Sequence, residues 1–62
     1  MDDLEIAIDD LRVHRWRAEG HRSWLAFHVN ERGIVRDIRV RFLAEHEREI
    51  ARLERVVAAL VG

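Results

Sequence analysis

Cysteine is absent from the 62 residues, which excludes disulfides and the Cys/His spacings of structural zinc sites. Proline and lysine are absent too, so all eleven basic residues are arginine. Guanidinium forks suit bidentate contacts to phosphate or carboxylate and stacking on rings, although a GC-rich coding bias would leave the same signature. Ser23 is the single hydroxyl-bearing residue and has no Gly-x-Ser-x-Gly context. With no thiol, no triad and no glycine-rich phosphate loop, the chain is expected not to be an enzyme and to need no cofactor. No apolar run approaches the roughly 18 to 20 residues that span a bilayer. The acidic start MDDLE is the opposite of a signal peptide's basic region, so a cytoplasmic protein without membrane contact is expected.

What is present suits one small folded domain, residues 1–62, with 48% hydrophobic and 37% charged residues. So short a chain holds only a small core, and with no staple available the missing buried area points to a homodimer or higher oligomer. The net charge of −1 conceals a division along the chain. Asp2, Asp3, Glu5, Asp9 and Asp10 stand in the first ten residues without a base, whereas residues 12 to 41 carry eight arginines against Glu19, Glu31 and Asp37.

Apolar periodicity suggests an α+β fold, a three-stranded antiparallel meander over residues 11–42 followed by a C-terminal amphipathic helix over 43–61. Leu4, Ile6 and Ile8 alternate as a fourth short strand would, although Leu4, Ile8 and Leu11 also fit a helical stripe capped by Asp2 or Asp3. Ala18-Glu19-Gly20 reads as a three-residue hairpin loop and Asn30-Glu31-Arg32-Gly33 as a second turn. In that register Leu11, Val13, Leu25, Phe27, Ile38 and Val40 face the helix. From Leu43 the period becomes helical, and Ile50, Leu53, Val57 and Leu60 offer a seam for a dimer interface.

The opposite sheet face would then gather Arg12, His14, Trp16, Arg22, Trp24, Arg39 and Arg41. Rings that stack on bases, interleaved with guanidinium groups that neutralise phosphates, are what single-stranded DNA or RNA binding uses. An exposed pair of tryptophans equally marks a protein-interaction surface, so the alternative is an interaction module, antitoxin-like, a phage-encoded inhibitor or a regulator's dimerisation domain, with no nucleic-acid contact. The acidic start is expected to lie over the basic face of its own or a neighbouring subunit. His14, His21 and His28 lie seven apart, and HEREI at His46 lacks the second histidine of a helical zinc motif, so these read as rim histidines and no metal is expected.

An antiparallel sheet followed by an amphipathic helix, dimeric and basic, resembles in layout the small transcriptional coactivator family of single-stranded DNA binders. That family's lysine- and glycine-rich approach to the helix has no counterpart in IRVRFLAEHE, so the resemblance implies a layout and no site residues.

Overall fold

A computed structural model describes residues 2–62. Among them the chain forms two α-helices, α1 (Asp3–Phe27) and α2 (Ile34–Val61), and no strand. The expected meander, α+β class and fourth strand are therefore corrected to an all-helical hairpin, a rod of 44 × 15 × 15 Å. The layout likeness to the coactivator family falls with the sheet. Of the two options for the first segment, the helical one with an Asp2 cap is the one adopted. Asp2 accepts from the Glu5 backbone N–H at 2.8 Å, satisfying one of the donors that a helix start leaves free.

The signal that decides the fold is a heptad, not an alternation. On α1 the stripe runs Leu4, Ala7, Leu11, His14, Ala18, His21 and Leu25, with steps of three and four. Ala7, Leu11 and Ala18 are buried and the others partly so. The matching stripe on α2 runs Leu43, His46, Ile50, Leu53, Val57 and Leu60, with Leu53 buried. Helix α2 thus contains the expected C-terminal helix but begins nine residues earlier than Leu43, at Ile34. The helices run antiparallel: His14 meets His46, Arg15 meets Glu54 and Trp24 meets Arg39.

Only one of the two expected turns exists. Ala18-Glu19-Gly20 lies inside α1, where Ala18 is fully buried against α2. A solvent-facing helical glycine carries a penalty of only about 1 kcal/mol, which a continuous seam outweighs. The second turn is real. The His28 backbone N–H and its Nδ1 both donate to the Trp24 carbonyl, at 3.0 and 2.8 Å, closing α1. Since a carbonyl only accepts, Nδ1 carries the proton, and the ring stacks on Trp24 with centroids 4.2 Å apart. The reversal is completed by Gly33 at φ 122° and ψ −161°, a conformation essentially restricted to glycine.

The two glycines should answer oppositely to alanine. A Cβ at Gly20 meets nothing within 4 Å, so Gly20→Ala should stabilise the fold by about 0.5–1 kcal/mol. Gly33→Ala finds the same open space but the wrong φ, and should destabilise by about 1–3 kcal/mol. Urea melts at one fixed protein concentration check both signs. An equal response at the two positions would contradict the hairpin.

Candidate functional site

Two surfaces flank the seam, and their chemistry differs. On one flank Arg15 pairs with Glu54 at 3.7 Å, and one heptad on Arg22 pairs with Glu47 at 3.5 Å while also holding Glu19 at 3.1 Å. Exposed pairs of this kind add little stability, but they fix the register and the polarity of that side. On the other flank Trp24 lies against Arg39, Phe42 against His21, and Asp10 comes near Arg52. No ion pair bridges the helices there among the described residues.

That second flank exposes apolar side chains among its charged ones. Ile6, Val13 and Phe27 recur on α1 at multiples of seven, and Val35, Ile38 and Phe42 follow a three/four spacing on α2. All six are exposed. Phe42 reaches the ring of His21 at 5.8 Å between centroids yet keeps 44% of its surface in solvent. Beside the seam a groove of about 400 Å³ opens, lined by Trp16, Arg17, Glu19, Gly20, His21 and Ser23 of α1 and by Arg39 of α2, with Gly20 as the notch in its wall. Arg39 also lies 4.9 Å from the Trp24 ring centroid, a cation–π contact.

The middle of the seam is a layer of imidazoles. His14 and His46 face each other with Nδ1 to Nδ1 at 2.8 Å, so one ring donates the proton that the other accepts. His21 stacks on His46 at 5.6 Å, and its own Nδ1 is buried without a partner. Burial holds the His21 pKa below its ordinary value, with Arg39 adding to the shift. Burial also lowers His46, reinforced by His14, His21 and Arg17 and opposed by Glu45. On the surface, the hydrogen bond from Arg52 at 2.6 Å lowers Glu49 and raises Arg52 in turn. Among the described residues no group of three or more His, Asp or Glu is placed to hold a metal ion.

The residues expected to share one nucleic-acid face are dispersed. Arg12 and Arg41 stand exposed on separate helices, Trp16 is 77% exposed, and Arg22 is engaged by Glu19 and Glu47. His14 enters the imidazole layer, while Trp24 and Arg39 meet across the seam. Side chains two apart share a face on a strand but stand about 200° apart on a helix, so one period-two set spreads round the rod. The four residues expected at a dimer seam face their own α1 instead. Leu53 is buried there, Ile50 and Val57 partly so, and Leu60 remains 46% exposed near the open end.

Sequence reasoning missed the imidazole layer and the flank of Val35, Ile38 and Phe42. The seven-residue spacing of His14, His21 and His28 was the available signal, since a residue type repeating every seven keeps to one side of a helix. No helix is long and apolar enough to cross a membrane among the described residues. No protein-family model matches the chain, and no curated protein or solved structure matches it either.

Proposed function

We propose that this chain is a cytoplasmic protein-interaction module that acts by self-association, a second copy covering the flank of the hairpin that carries no ion pairs between its helices. The accessible surface carries the reading. It amounts to 4866 Å², against about 4,200 Å² expected for a monomer of 7.4 kDa. Among the described residues just four are buried while twelve large hydrophobics are exposed, so the hairpin lacks the core a free-standing domain of this size needs. A stable dimer hides about 800 Å² per partner, and a rod 44 Å long offers that along one flank.

Two hairpins joined this way make a four-helix bundle, in which short amphipathic helices complete a core between them. Binding of single-stranded nucleic acid needs several aromatic and cationic groups on a common surface; Trp16, Arg17 and Arg39 share the groove, but Arg12 and Arg41 do not line it and Arg22 is engaged by Glu19 and Glu47. It therefore enters as the other outcome of the test.

Light scattering coupled to gel filtration should give twice 7.4 kDa for the full chain. Val13→Glu on α1 and Phe42→Glu on α2 should each lower that mass toward the monomer while the chain stays helical by circular dichroism. The mass should not respond to a short single-stranded oligonucleotide. A monomer at tens of micromolar, or one that gains mass only with the oligonucleotide, would overturn the proposal, the second in favour of nucleic-acid binding.

A further inference from the structure

Apart from self-association, and without resting on it, we infer that the imidazole layer is a binding site for a divalent transition-metal ion such as zinc, held between the two helices by Nδ1 of His14 and Nδ1 of His46. The two nitrogens face each other across the seam at 2.8 Å, with their ring centres 5.1 Å apart. An imidazole nitrogen binds such an ion at about 2.0–2.1 Å, so two rings at the tetrahedral angle place their nitrogens about 3.3 Å apart and their ring centres about 5.2 Å apart. The rings therefore already stand at the spacing an ion requires. A pivot of each ring about its own centre turns the nitrogens from one another onto a common point beside the line that joins them.

The place of these rings in the fold is a second observation. Positions 14, 21 and 46 belong to the stripes that form the seam, where a heptad calls for aliphatic side chains, and all three carry histidine. Polar rings at such positions cost stability, and residues that break the packing rule of their element concentrate at functional sites. His21 sharpens the point. Its Nδ1 is buried without a hydrogen-bond partner in the chain, while its ring stacks on that of His46 at 5.6 Å. The chain alone does not satisfy the polar atoms of this layer, and an ion with its coordinated water supplies what they lack.

Among the described residues no third donor stands ready beside the pair, so the remaining positions on the ion are filled by water or by a ligand from outside. Charge around the layer is balanced, since Arg17 and Arg39 repel a cation that Glu45 and Glu49 attract. Imidazole donors select zinc, nickel or copper over magnesium and calcium, which take oxygen ligands. When both rings are neutral, binding releases no proton: the ring that donates through Nδ1 moves that proton to Nε2, which leaves both Nδ1 lone pairs for the ion. One donor stands on each helix, so the ion ties α1 to α2. The hairpin should therefore gain stability as the ion concentration rises.

Isothermal titration calorimetry of the full chain, first freed of metal with a chelator, tests the site. Zinc chloride should bind one ion per chain with a micromolar dissociation constant, and magnesium chloride should give no heat of binding. His14→Leu/His46→Leu fills the seam with aliphatic side chains and should weaken zinc binding about tenfold or more. His46→Gln, which keeps a polar group in the layer, should weaken it likewise. Added zinc should raise the urea midpoint of the parent chain and leave that of the double variant where it was. Equal zinc affinity in parent and variants, one ion shared by two chains, or binding that leaves the parent's midpoint unchanged would overturn the inference. The mass of the chain in solution enters none of these readings, so this inference and the self-association reading fail separately.

Discussion

Leu53→Ala should leave much of the chain unfolded in dilute buffer at 25 °C. Leu53 is 4% exposed and is the one buried side chain of α2, set among Leu11, Ile50 and Val57 by the seam register. Truncating a buried leucine removes its transfer free energy and leaves a cavity, together about 2–5 kcal/mol. At roughly 0.05–0.15 kcal/mol per residue, a 62-residue chain has about 3–9 kcal/mol in total. The loss thus consumes much of what exists. Leu60→Ala, at a position 46% exposed on the same stripe, should lose far less. Urea melts followed at 222 nm, at matched concentration because association contributes, give the comparison. Equal losses at the two positions would mean that the seam does not run as described.

Acid should destabilise the hairpin, and removing the imidazole pair should stabilise it and blunt that sensitivity. His21 and His46 are both held below their ordinary pKa of 6.5. Below 6.5 the unfolded chain therefore takes up protons that the folded chain refuses. Stability is fully present above about pH 6.5 and declines as the pH falls toward the depressed folded values. The groups facing the layer are His14, Arg17 and His21 from α1 and Arg39, Glu45 and Glu49 from α2, so the glutamates oppose the arginines there. Protonating both His14 and His46 would place two N–H groups 2.8 Å apart with no acceptor between them. His14→Leu/His46→Leu replaces both partners at once and leaves neither unsatisfied, which favours a net gain. Its urea midpoint should exceed that of the parent at pH 7.5, and the drop between pH 7.5 and 5 should shrink. An unchanged acid slope would place the titrating groups elsewhere.

The sequence showed the turn at Asn30 to Gly33 and the helical period after Leu43. It also offered both readings of residues 4–11. The sheet was inferred from real features that helices share: the alternation of Leu4, Ile6 and Ile8, the odd-position Leu11 and Val13, and a loop-like Ala18-Glu19-Gly20. A local pattern of four or five residues cannot separate period two from period 3.6 when polar residues fill both templates. Twenty-five residues can, and over that length the stripe from Leu4 to Leu25 keeps its heptad while no alternation persists. Histidines in the stripe hid it, because an imidazole at a core position reads as polar. The uncovered flank could not be seen before the fold, since it depends on which side of the seam Glu47 and Glu54 find their arginines.

That side of the rod has a further effect on how many copies come together. With Arg15, Arg22, Glu47 and Glu54 already matched inside each chain, this side presents neutralised charge at its middle, and its apolar groups, Val40 and Val61, stand apart at the two ends of that row. A rod adhesive on both sides builds filaments, so charges matched within one chain would help to keep the proposed self-association closed.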